Sequence, residues 1–196
     1  MAKFGIGQGV NRVEDQRFIT GKGTYTDDIN VSGQAFGTVV RSPVAHARIK
    51  SVDVEAAKSA PGVISVITAQ EFASKAGNEI PCMVPIENRD GSQRANALRP
   101  ILATEKVCHV GDHIAFVVAE TASQARDAAE LVEIDFEDLP AVYDTASATS
   151  SETLVHDRVA KNLALDWQHG DETAVNDAFS AAAKTVKIEL VNNRVI

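Results

Sequence analysis

VCHVGDHIAFVVAETASQARDAAELVEIDFEDLPAV, residues 107–142, decides the fold, because it reads as strand, capped helix, strand. Gly111-Asp112 is a turn signal, and the apolar run His113–Ala119 after it is a strand. Thr121 opens a helix. Its hydroxyl is placed to accept from the amide of Gln124 while the Gln124 side chain reaches back, a reciprocal capping box. Ala122, Ala125, Ala129 and Val132 recur at helical spacing and form a small-residue face suited to lying close on a sheet. Arg126, Asp127 and Glu130 fall on the wet side. The period then switches to two: Val132, Ile134 and Phe136 point one way, Glu133, Asp135 and Glu137 the other. Pro140 ends that strand, since proline donates nothing to a ladder.

Upstream, residues 34–41 and 45–54 read as strands. Residues 55–60 read as a short helix stopped by Pro61-Gly62, and Val63–Thr68 as a β-branched strand. Thr68 and Glu71 predict a second capping box, with a helix to about Lys75. Residues 45–68 and 113–137 are therefore two strand–helix–strand units. Residues 1–17 form a glycine-rich, then charged arm, and 17–29 a turn-rich connector. Residues 76–105 carry Pro81, Pro85, Asp90-Gly91 and Pro100 among few apolar residues, a loop of a length usually tied to function or interfaces. Residues 143–170 are a second irregular stretch. Asp171 caps a helix to about Ala183, and 185–191 alternates as a strand with Val186, Ile188 and Leu190 on one face. No partner for that strand follows, so the sequence reads as cut after it.

The chain has 196 residues and a formal charge of −8. That length suits one domain or one plus part of another, and folding at this size buries roughly 70% of the unfolded surface. The acidic balance argues against nucleic acid or an anionic membrane as partner, because phosphate binding needs concentrated Lys and Arg. Two cysteines, Cys82 and Cys108, make no disulfide framework and fit a reducing compartment. No signal-peptide core or membrane span is visible, and a cytoplasmic location is the expectation.

Candidate sites each have a plainer reading beside them. Gly5, Gly7 and Gly9 in GIGQG lack the strand before and helix after that a dinucleotide fingerprint needs. Cys108, His109 and His113 are a close group of soft ligands, but a zinc site wants three or four, and Cys82 is remote. They read as strand-edge residues. Arg12, Glu14, Asp15 and Arg17 read as a solvated or docking arm. His46, with Arg41 and Arg48, faces either a partner or its own fold. Glu133, Asp135, Glu137 and Asp138 read as a wet strand face, with no pocket to raise one carboxyl's pKa. His156-Asp157 and His169 with Asp171 lack a nucleophile partner, and Ser42 lacks a nucleophile elbow. No catalytic, cofactor-binding or metal-binding residue is assigned.

The segments GVNRVEDQRFITGKGTYTDDI (9–29), VVRSPVAHARIKSVDVEAAKSAPGVISVIT (39–68), 107–142 and IELVNNRVI (188–196) resemble the start of the large subunit of the molybdenum hydroxylases. These are the xanthine dehydrogenase, aldehyde oxidase and carbon monoxide dehydrogenase family. The resemblance covers residues from about Gly5 to Ile196. It implies an α+β fold: an α/β hammerhead domain with a mixed sheet over 18–142, an arm at 1–17, a linker at 143–170, and the start of a molybdopterin-binding region at 171–196. It also implies that the whole subunit binds a molybdenum–molybdopterin cofactor, often the cytosine dinucleotide form, and hydroxylates a carbon centre with water-derived oxygen. Electrons would leave through 2Fe-2S clusters to FAD in partner subunits. The family's base and cofactor loops match no position here, so the expected role of these residues is structural and docking, with the stand-alone scaffold as the alternative.

Overall fold

The computed structural model describes residues 7, 9, 11–97 and 99–190. Among the described residues six strands form two three-stranded sheets. They are β1 (Phe36–Arg41), β2 (Ala47–Asp53), β3 (Val63–Thr68), β4 (Lys106–Val107), β5 (His113–Ala119) and β6 (Glu133–Asp138). The first sheet runs β1-β5-β3 and the second β4-β2-β6. All four strand pairings are antiparallel, so the expected mixed sheet is two antiparallel ones.

The reason lies in the connections. Helix α2 (Glu55–Lys58) follows β2 and leads to β3, and helix α4 (Ala122–Ala129) follows β5 and leads to β6. In both units the helix carries the chain from one sheet to the other. The right-handed βαβ unit that makes parallel pairs keeps both strands in one sheet; here they separate. Helix α4 packs across β1, β5 and α2. Its buried face is Ala125 and Ala128, with Ala129 and Val132 packed at its edge, while Ala122 is exposed. Methyl side chains let the helix axis lie close on the strands.

The two capped helices behave differently. At α3 (Ala69–Ala76) the box is reciprocal: Glu71 N–H donates to Thr68 Oγ1 at 3.4 Å and Thr68 N–H to Glu71 Oε2 at 3.1 Å. At α4 Thr121 Oγ1 accepts from Gln124 N–H at 3.3 Å, but the Gln124 carbonyl takes the Thr121 hydroxyl at 2.8 Å instead of an amide. This corrects the expected box there to a single cap.

Two apolar clusters fill the fold. The first gathers Val40, Val54, Ala57, Val66, Ala115, Val117 and Ala128; the second gathers Ala47, Ala103, Val107 and Ile114. Register explains how β5 serves both. Val40 pairs with Ala115 and Arg41 with His113, so Ile114 is an extra residue in a β-bulge. A bulge re-aims a side chain, and Ile114, 1% exposed, enters the second cluster.

The structure differs from the sequence reading at three further places. Residues 76–105 hold core: Leu102 and Ala103 are buried. Asn78 secures them, donating from Nδ2 to the Leu102 carbonyl at 2.7 Å and accepting Leu102 N–H at 2.9 Å. A five-residue helix α1 (Asp15–Ile19) stands where arm and connector were expected. Residues 185–190 form no strand, and Val186, Ile188 and Leu190 are exposed; Val191 lies outside the described residues. Alternation alone makes no strand without a partner edge. The helix before them, α5 (Glu172–Ala181), is capped by Asp171 as expected and buries no residue.

Ile114→Ala should cost about 2–5 kcal/mol of unfolding free energy by urea titration, the range for a truncated core isoleucine. Ile64→Ala, at a side chain 59% exposed, should cost under about 1 kcal/mol by the same measurement.

Candidate functional site

Most of the residues singled out from sequence are occupied locally. Gly7 and Gly9 are exposed, with nothing within 4 Å of where a Cβ would stand, and the next described element is the short α1. Gly5 lies outside the described residues. Arg12 N–H bonds the Asp15 carboxylate at 3.1 Å, and the Arg17 guanidinium lies 5.2 Å from the Phe18 ring centroid. Ser42 is buried in a turn of its own, donating its hydroxyl to the Val44 carbonyl at 2.8 Å and accepting Val44 N–H at 3.2 Å. Arg41 reaches the Gly111 carbonyl at 3.1 Å. Glu133, Asp135, Glu137 and Asp138 are all exposed on β6. His169 stacks on Trp167 with centroids 5.8 Å apart, and Asp171 caps α5 by accepting Ala174 N–H at 2.9 Å.

Cys108, His109 and His113 do not converge on one point. His109 turns to Asp112, Nδ1 to Oδ2 3.6 Å, while His113 sits in β5. Cys108 instead meets His156, from 48 residues on, with Sγ 4.0 Å from Nδ1. His156, read from sequence as lacking a nucleophile partner, therefore has a thiol beside it. Short-range spacing gives no signal for such a pair.

The pair sits at the end of the second sheet. Ala47 pairs with Val107, so continuing the ladder by one step sets His46 opposite Cys108. His46 is 6% exposed and donates from Nδ1 to the Pro140 carbonyl at 2.7 Å, and its Nε2 is buried without a partner. Cys108 N–H donates to Asp112 Oδ2 at 2.8 Å and its thiol to the Val155 carbonyl at 3.4 Å. Lys106 Nζ meets Asp157 Oδ1 at 2.9 Å. His156 also lines a cleft of about 260 Å³ together with Ala97, Tyr143, Val159 and Asn162.

The electrostatics argue against nucleophilic use. Burial pushes the Cys108 thiol up, with Lys106 opposing and Asp112 and Asp157 adding to it. Burial, then Lys106, pushes the His156 imidazole down. Both shifts favour neutral partners, the reverse of the thiolate–imidazolium pair that a cysteine nucleophile needs. Among the described residues no three His, Cys, Asp or Glu side chains are arranged to hold one metal ion. Nor is any helix among them long and apolar enough to cross a membrane.

The fold itself is the identifying feature. A family described as aldehyde oxidase and xanthine dehydrogenase, a/b hammerhead domain, matches residues 20–140. The chain belongs to that family. It is 36% identical to the carbon monoxide dehydrogenase large chain of Afipia carboxidovorans, over 97% of this chain and 24% of that one. It is also 36% identical to the xanthine dehydrogenase molybdenum-binding subunit of Escherichia coli O157:H7, over 67% of this chain and 17% of that one. Among solved structures, reconstituted CO dehydrogenase from Oligotropha carboxidovorans superposes with a TM-score of 0.70 at 36% identity. That match covers 92% of this chain and 23% of the other. The chain thus spans about a quarter of the length of the first relatives it matches. The antiparallel sheets and the helices that cross between them are the a/b hammerhead of that family.

Iodoacetamide at pH 7.5 should label exposed Cys82 faster than half-buried Cys108, by about tenfold, since reactivity follows thiolate character and access. Peptide mass spectrometry over a time course checks the order.

Proposed function

We propose that these residues serve as the N-terminal structural and docking module of a molybdenum hydroxylase large subunit. The observation that carries the reading is a set of apolar side chains left uncovered among the described residues. Val175 and Phe179 on α5 are 51% and 64% exposed, and Val186, Ile188 and Leu190 beyond it are 84%, 72% and 85% exposed. Such a surface is the kind that other protein covers. In this reading, residues 18–142 are the hammerhead, 143–170 a linker, and 171–190 lead into the molybdopterin-binding region that covers that surface. The whole subunit would hydroxylate a carbon centre with water-derived oxygen. It would work in the cytoplasm with iron–sulfur and FAD subunits and pass electrons to them.

The cofactor of that reaction would be a molybdenum–molybdopterin, here proposed in its cytosine dinucleotide form. A Cβ on Gly7 or Gly9 would meet nothing within 4 Å, and the described His, Cys, Asp and Glu residues form no metal-ligand group. The described residues do not fit as its holder, so no step of the hydroxylation is routed through them. Their contribution is to brace and to dock.

The test joins stability to assembly. Phe179→Asp should change the stability of the isolated chain by less than about 0.5 kcal/mol, as at an ordinary surface site. The same change should abolish co-purification of the chain with the molybdenum-binding remainder of the large subunit. Unchanged co-purification would favour the stand-alone scaffold instead.

A further inference from the structure

Residues 143–166 cross the end of the second sheet and are held there and against the 76–105 loop, where Asp166 N–H also donates to Asn88 Oδ1 at 2.9 Å. Toward the sheet they offer the Val155 carbonyl to the Cys108 thiol, the His156 ring to Cys108 Sγ, and Asp157 to Lys106. Val159, 3% exposed, is their buried apolar anchor. Toward the 76–105 loop, Ala95 N–H donates to the Ala164 carbonyl at 2.9 Å and Arg89 N–H to the Asp166 carbonyl at 2.7 Å. Internally the segment hangs on Asn162. Its Nδ2 donates to the carbonyls of Ala148 at 3.0 Å and Thr153 at 2.8 Å, and its Oδ1 accepts Val155 N–H at 2.9 Å. Lys161 and Asn162 sit side by side in the left-handed region, φ 55° and 53°. That conformation is costly for residues with a Cβ and persists where surrounding bonds hold it.

We propose that residues 143–166 form a strap that is closed over the sheet end at neutral pH and is released when His156 takes up a proton.

The groups around His156 set the direction. Lys106 comes from β4, His46 from the residue before β2, Asp112 from the turn before β5, and Asp157 and the Cys108 thiol lie beside it. A protonated His156 faces Lys106 as a like charge. The two carboxylates that would attract it are already engaged, Asp157 with Lys106 and Asp112 with Cys108 N–H. Arg48 also helps to keep Asp157 ionised.

Linkage gives the window. The His156 pKa in the closed form is lowered below its ordinary 6.5, so the released form binds the proton more tightly. The stabilisation is complete above 6.5 and is lost as the pH falls from there toward the lowered value. The Cys108 thiol works at the other side: it is raised above its ordinary 9.0, so its share is complete below 9.0 and is lost as the pH rises past it. Asp157 is lowered below its ordinary 3.8, chiefly by the Lys106 hydrogen bond, and loses its share only in stronger acid. Between pH 6.5 and 9.0 all three groups hold the strap closed.

Hydrogen exchange by mass spectrometry on the whole chain tests this, at pH 7.5 and 5.5 with rates corrected for intrinsic exchange. Peptides covering 148–166 should lose protection severalfold at pH 5.5, while those covering 113–119 keep theirs. In His156→Gln the difference between the two pH values should vanish, with protection of 113–119 intact as the sign of a folded chain. Two results would overturn the proposal. One is equal protection of 148–166 at both pH values in the parent chain. The other is an undiminished pH effect in His156→Gln, which would assign it to another group such as His46.

Discussion

One extra residue in β5 ties the two halves of this fold together. Ile114 stands in the bulge between the pairs Val40–Ala115 and Arg41–His113. Beyond it Ala115 and Val117 pack into the first cluster, while Ile114 itself packs into the second. Without the bulge, strict alternation would keep the buried side chains of β5 on one face, serving one sheet. Val52 and Ile134, which pack against both clusters, continue the same seam. The neighbouring backbone is fixed accordingly. Ala103 N–H donates to the His113 carbonyl at 2.6 Å, Ser42 N–H to the Asp112 carbonyl and Gly111 N–H to the Ser42 carbonyl, both at 2.8 Å.

Much of the local structure was legible in the chain because it is written in periods and caps. Val63–Thr68 and His113–Ala119 fall where their apolar runs place them, and the Thr68 box closes in both directions. What stayed hidden depends on distant partners. A two-residue strand such as Lys106–Val107 has no period to read; it exists because β2 offers it an edge. Leu102 and Ala103 are core because Asn78, 24 residues before Leu102, supplies the bonds a strand would. Residues 185–190 show the converse, a clear alternation that joins no edge among the described residues.

The same reasoning explains the site. Cys108 was visible beside His109 and His113, yet the fold separates these three and brings in His156. What gathers at the sheet end is a set of groups satisfied by packing: a protonated thiol, a neutral imidazole and one Lys106–Asp157 ion pair. His46 Nε2 is the unpaired atom of the group. The residues that mark membership of the family are those that build the hammerhead, and the chemistry of its larger members is proposed to lie elsewhere in the subunit.

That division of labour makes the bare surface on α5 and residues 186–190 the place where the account is most exposed. The most direct measurement is hydrogen exchange of amides 185–190 in this chain alone and in the chain joined to the molybdenum-binding remainder proposed for its subunit. The account predicts fast exchange alone and strong protection when joined, as the alternating residues find their edge. Equal exchange in both would contradict it.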